Sequence, residues 1–107
     1  MYYYDILVCI KFISAKYGGR KNLPPIKSEE YTYRPIFRLE QELEGYCCGV
    51  IIGSYIKNYA FDIPLNNIKI LFLQFEKVKK KLSVGKKFQL LEGNTVIATG
   101  KILEILS

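Results

Sequence analysis

The chain has 107 residues, half of them apolar and nine of them tyrosine, which suits one modest folded domain (1–107) and argues against disorder. Its formal charge of +6 makes a negatively charged partner plausible, either RNA, an anionic surface or an acidic protein face; the plain alternative is a solvated surface. It has no histidine for general base work, no G-x-x-x-x-G-K-[ST] loop to cradle phosphates and no Cys-x-x-Cys spacing for zinc, so no catalytic, nucleotide, metal or cofactor constellation is expected.

Tyr4–Ile13 predicts a first strand. Ile6, Val8, Ile10 and Phe12 fall on one face, which is expected inside; Asp5, Leu7, Cys9, Lys11 and Ile13 form the mixed outer face. The N-terminal stretch carries Asp5 and Lys11 and no basic leader, so it does not read as a signal peptide. Ala15–Glu30 reads as a loop around Gly18-Gly19 and Pro24-Pro25, and loops of that length go with binding or disorder more often than with plain connection. Tyr33–Leu39 reads as a strand with Pro35 near its start, where a missing N–H is tolerated.

Glu40–Glu44 is a polar connection, and Gly45–Ile56 an apolar strand with Gly49 or Gly53 as its bend. The uncharged run Tyr46–Ile56 is too short to span a bilayer. Lys57–Asn67 is a second loop. Ile68–Phe75 is a strand with Ile68, Ile70, Phe72 and Gln74 on one face. Glu76–Val84 is a basic connector.

Val84–Leu106 predicts a closing hairpin. The runs Lys86–Leu91 and Thr95–Leu106 flank Gly93-Asn94, and glycine at the first central position suits a type II′ turn. Glu92 then faces Thr95, Leu91 faces Val96, Leu90 faces Ile97 and Phe88 faces Thr99. Gly100, in mid-strand, marks a bulge or a bend. Strands separated by Gly, Asn and Pro, without heptads or repeats, argue for an all-β sandwich or barrel. The expected interior is Phe88, Leu90, Ile97, Ile6, Val8, Ile10, Ile70 and Phe72.

Cys9, Cys47 and Cys48 are an odd count with two adjacent residues, a poor disulfide framework; they read as reduced thiols acting as small hydrophobes. The densest positive patch is Lys77, Lys79, Lys80 and Lys81 with Lys86 and Lys87. It is open to two readings, a contact for nucleic acid or acidic protein, and a gatekeeper run against aggregation. Glu29-Glu30 and Glu40, Glu42 and Glu44 read as solvated carboxylates. Tyr2, Tyr3, Tyr4, Tyr55 and Tyr59 are candidates for a partner or self-association surface, or for caps on the barrel ends.

Two stretches carry a resemblance. Gly85-Lys-Lys-Phe88, Leu91–Val96 and Ala98–Ile102 resemble the closing hairpin of the C-terminal barrel (domain 3) of bacterial elongation factor Tu, which reads glycine-x-x-phenylalanine, arginine-glutamate-glycine-glycine and threonine-valine-glycine-alanine-glycine there. Lys16–Arg20 and Tyr33-Arg34-Pro35-x-Phe37-x-Leu39 are similar to the family's glycine-glycine-arginine loop and tyrosine-arginine-proline-x-phenylalanine strand. Pro64 and Asn67 match its proline-glycine-aspartate-asparagine, and Leu65 does not.

The resemblance implies a six-stranded antiparallel closed β-barrel, here without the GTP-binding machinery, and hence a non-catalytic cytoplasmic binding module. In that family the two stretches lie near the T-stem of bound tRNA, which points to Gly19, Arg20, Glu92 and Gly93, with Tyr17, Gly18, Lys21 and Asn94 beside them. Lys21, Asn22, Leu23 and Pro24 depart from the family's histidine-threonine-proline tail, and Asn94 stands where the family has a glycine-arginine pair. A protein partner is therefore expected ahead of RNA, for example a toxin that an immunity protein neutralises. RNA binding through the basic loops is the alternative, and Glu92-Gly93-Asn94 acting only as a good turn is a third.

Overall fold

The computed structural model describes residues 4–26, 33–53 and 56–106. Six strands form in chain order: β1 (Ile6–Phe12), β2 (Ile36–Leu39), β3 (Tyr46–Ile52), β4 (Leu65–Phe72), β5 (Lys87–Glu92) and β6 (Thr95–Ile105). The expected all-β class holds. One turn of α-helix, α1 (Phe75–Val78), and two 3-10 turns, Ala15–Tyr17 and Lys79–Lys81, lie between strands.

All pairings are antiparallel, with neighbours in the order β1-β4-β3-β2-β5-β6 and β6 against β1. The ladders differ in length. β1–β6 aligns seven residue pairs and β5–β6 six, whereas β2–β3 aligns two, Ile36 with Cys47 and Phe37 with Tyr46. Ladder hydrogen bonds are thus concentrated along β5-β6-β1. The finer expectation, a six-stranded ring closed into a barrel, turns on the two-pair β2–β3 seam.

The alternation in β1 places its side chains as expected. Ile6, Val8, Ile10 and Phe12 are fully buried, and so are Ile70, Phe88 and Leu90, with Ile97 and Phe72 nearly so. The aromatic centre is Phe37, stacked on Phe88 at 4.6 Å and edge-on to Phe72 at 4.9 Å. Offset or edge-to-face pairs of this kind stabilise beyond their buried area, by about 0.5–1.5 kcal/mol.

Several sequence expectations are corrected. The hairpin turn forms at Gly93-Asn94, with Gly93 at φ 60 and Asn94 outside the positive-φ region, as a type II′ turn requires. Beyond Leu91–Val96, however, a bulge shifts the ladder, so Leu90 faces Ala98 and Phe88 faces Gly100. The extra residue lets Ile97 and Ala98 both bury. The Phe88–Gly100 pairing explains the glycine, since a Cβ there would lie 2.5 Å from the Phe88 ring and 2.6 Å from the Cys9 carbonyl oxygen.

Asp5 does not stay on an exposed outer face. It is buried, and its Oδ2 accepts a 2.8 Å hydrogen bond from the Phe72 N–H. The fourth strand starts at Leu65 and ends at Phe72, so Gln74 is not a strand residue but precedes α1. The basic connector is a connector as expected, and it is helical over α1 and the Lys79–Lys81 turn. Phe75, Val78 and Leu82 recur at helical spacing, Val78 and Leu82 are buried, and Phe75 packs against the same core beside Phe72.

The strand expected over Tyr33–Leu39 starts only at Ile36, just after Pro35, and the one expected over Gly45–Ile56 runs Tyr46–Ile52, with its irregularity between Cys48 and Val50, at Gly49. Cys9 and Cys48 are not in disulfide bonds, and the Cys47 side chain lies outside what the structure describes. The long first loop adds a core residue that its composition hid. Ile26 is fully buried and its carbonyl accepts from the Gly53 N–H at 2.8 Å.

Candidate functional site

The loop after β1 is shaped by two glycines with different tasks. Gly18 adopts φ 88, a left-handed conformation, and closes the Ala15–Tyr17 turn by donating to the Ala15 carbonyl at 3.1 Å. At Gly19 a Cβ would lie 1.8 Å from the Ile13 carbonyl oxygen, so no side chain fits. The Gly19 N–H donates to Ser14 and the Arg20 N–H to Ile13, both at 2.9 Å, which folds the loop back and delivers the Arg20 side chain toward the hairpin turn.

There Arg20 Nε meets Glu92 Oε2 at 3.0 Å. The Tyr33 hydroxyl donates to the same Glu92 oxygen, and the Arg20 guanidinium lies over the Tyr33 ring at 5.3 Å. Tyr33 is buried. Its phenol is pushed well above its ordinary value, first by burial, then by the hydrogen bond to Glu92 and by that residue's charge, against the opposing pull of Arg20. Arg20 Nη1 is buried and has no hydrogen-bond acceptor among the described residues. Three chain regions, the first loop, the segment before β2 and the end of β5, are thus tied at one point.

Gly19, Arg20, Lys21 and Glu92 line one hollow together with Asn22 and Thr95. The two stretches of the resemblance are therefore neighbours in space. Gly93-Asn94 forms the turn beside them. Tyr17 is not part of this hollow. It is 66% exposed, with Lys16 Nζ 5.5 Å from its ring, and lines a separate hollow with Ile13 and Asp62. Asp62 is held below its ordinary value by the Ser14 hydroxyl first and the Ser14 N–H second.

The lysine patch lies beyond the other end of β5. Lys79 Nζ sits 5.9 Å from the Phe75 ring centre and Lys81 Nζ 6.0 Å from that of Tyr46. Lys81 also approaches Glu44 at 3.9 Å, and its ammonium is held above the ordinary value by Tyr46 first and Glu42 next. Lys86 Nζ donates to the Lys81 carbonyl at 2.7 Å. Lys77 and Lys80 project nearby, and Lys87 opens β5.

Of the tyrosines considered for a partner surface, Tyr2, Tyr3 and Tyr55 lie outside the described residues, as do Glu29 and Glu30. Tyr59 caps the core instead. Its hydroxyl donates to the Pro24 carbonyl at 2.6 Å and its ring meets Phe12 edge-on at 6.0 Å. Tyr4 is half-buried, with Lys69 Nζ 5.4 Å from its ring.

Among the described residues no group of three or more His, Cys, Asp or Glu side chains is placed to hold a metal ion, and no helix is long and apolar enough to cross a membrane. The resemblance singled out Arg20 and Glu92 separately. It gave no sign that they pair with each other and with Tyr33. No protein-family model matches the chain, and no curated protein sequence matches it either.

Proposed function

We propose that the chain is a cytoplasmic, non-catalytic binding module, a closed six-stranded barrel of the elongation factor Tu domain 3 type, that acts through a protein partner. The concrete form we infer is an immunity or neutralising protein for a toxin that uses or attacks the translation factor. One observation carries the preference for protein over RNA. The Arg20 charge is held internally by Glu92, while the neighbouring Tyr17 is largely exposed. A guanidinium already paired with a carboxylate has less to offer a phosphate, and an exposed tyrosine is a common anchor in protein interfaces. The antiparallel neighbour order, the Gly93 turn and the Arg20–Glu92 juxtaposition support the barrel type.

The test is affinity capture from a cell extract with and without nuclease, comparing the native protein with Tyr17→Ala. The proposal expects a protein that survives nuclease and is lost with Tyr17→Ala. A captured protein that nuclease releases, or protein capture indifferent to Tyr17, would overturn it.

A second reading, RNA binding through the loops, is favoured by one specific feature. Arg20 Nη1 lacks an acceptor among the described residues, and Arg20 lines a hollow with Lys21 and Asn22. Under this reading tRNA affinity falls by about 0.7–0.9 log units per log unit of salt for each phosphate contact. Arg20→Ala/Lys21→Ala then flattens that slope by roughly one to two contacts.

A further inference from the structure

We propose that the outer face of β5-β6-β1 binds the phosphodiester backbone of a nucleic-acid duplex through Lys87, Lys101 and Lys11. The starting observation is a mismatch in the sheet itself. Lys87 of β5 stands directly opposite Lys101 of β6. Lys101 in turn faces Cys9 of β1, two residues before Lys11, which faces Thr99. Like charges directly opposite on antiparallel strands weaken the pairing. Lys87 and Lys101 are both exposed, and neither forms an ion pair among the described residues. The fold gains nothing from this pair. A local rule broken without internal compensation is where a binding role is expected.

The three lysines line one hollow on the sheet surface, with Thr99 between them and Glu40 as the single carboxylate in its wall. Within that lining two positive charges are in excess, and the Lys11 charge is also opposed by Asp62 across an adjoining hollow, which leaves Lys87 and Lys101 as the core of the site. The lining has no aromatic ring, so it offers no platform on which unpaired bases could stack. It also has none of the large exposed apolar residues Tyr17, Leu43, Ile63, Leu73, Val84 and Leu106, so it lacks the anchor that a protein partner would use. Its charged groups are three ammoniums against one carboxylate, with Lys87 and Lys101 on strands about 4.8 Å apart. A duplex carries one charge per about 1.7 Å of axis, dense enough to meet neighbouring ammoniums at once. Recognition through phosphates alone is independent of sequence. The site stands apart from the Arg20–Glu92 hollow and does not rest on the function proposed above.

The test is a fluorescence anisotropy titration of short labelled DNA and RNA duplexes across a salt series, with melting temperatures measured in parallel. The native protein is expected to bind, with the logarithm of affinity falling linearly with the logarithm of salt. Lys87→Gln/Lys101→Gln is expected to reduce the DNA slope by about 1.8, two contacts at about 0.9 each. Its melting temperature is expected to equal or exceed that of the native protein, because the like-charge pair is gone. No duplex binding at low salt, an unchanged slope, or a lowered melting temperature would each overturn the inference. So would polyglutamate binding as tightly as the duplex, or a slope loss confined to Lys79→Gln/Lys80→Gln. A slope loss found in Arg20→Gln/Lys21→Gln but absent from the strand-face variant overturns it too, while leaving the loop-based RNA reading intact.

Discussion

Glu92 and Lys87 stand at the two ends of β5 in opposite settings. At Glu92, one carboxylate oxygen holds both a guanidinium and a phenol, one of them on a buried side chain, and joins three chain segments. At Lys87, an exposed ammonium faces another of like sign, and the nearby Lys81–Glu44 pair is loose at 3.9 Å and open to water. Formal charge read from a sequence does not say which charges are available. Arg20 is spent inside the molecule, whereas Lys87 and Lys101 are not.

β5 spans both settings, so the strongest way to break the contrast is to remove its core anchor. Phe88 is fully buried and stacked on Phe37. Phe88→Ala is expected to cost about 3–5 kcal/mol in denaturant unfolding, a large part of a small domain's stability. An unchanged melting temperature would contradict its placement.

The next largest effect belongs to the tied end. Glu92→Ala leaves Arg20 without its carboxylate and Tyr33 without its acceptor. Because Arg20 and Glu92 are 26% and 37% exposed, water recovers part of the loss, and we expect about 1–2 kcal/mol by urea unfolding.

The same cluster sets an alkaline limit. The folded Tyr33 phenol lies above the unfolded value of about 10. Its contribution is therefore complete below that pH. It is lost as pH rises further, because the unfolded chain then releases a proton that the folded chain retains. Tyr59, raised chiefly by burial, acts in the same direction. Tyr33→Phe is expected to flatten, without abolishing, the fall in melting temperature above about pH 10. A slope equal to that of the native protein would show that Tyr33 is not protected.

The smallest effect is expected at the other end of β5. Lys81→Gln is expected to leave the melting temperature unchanged within error, since its pair with Glu44 is exposed. A clear drop would show that the lysine end is as firmly built as the Glu92 end.

How much of this was legible in the sequence depends on range. Strict alternation in Ile6, Val8, Ile10 and Phe12 marked β1 and its inner face, and Gly93-Asn94 marked the turn. Both signals are local. The bulge that pairs Phe88 with Gly100 was hidden, because only the assembled core decides whether Ile97 and Ala98 can both bury. α1 was masked by lysines, although Phe75, Val78 and Leu82 already held its spacing. Asp5 precedes β1, on the mixed face of the strand expected over Tyr4–Ile13, and nothing near it announced the Phe72 N–H from which it accepts. Arg20 and Glu92 were visible as candidates, but a pairing between distant segments leaves no periodic trace.

The central claim is that Arg20 is held by Glu92 rather than offered to a ligand. A double-mutant cycle of Arg20→Gln and Glu92→Gln, read by urea unfolding, tests it most directly. The account predicts a favourable coupling of about 0.5–1 kcal/mol. Additivity within about 0.3 kcal/mol would mean that the two side chains do not hold each other in solution, and would contradict it.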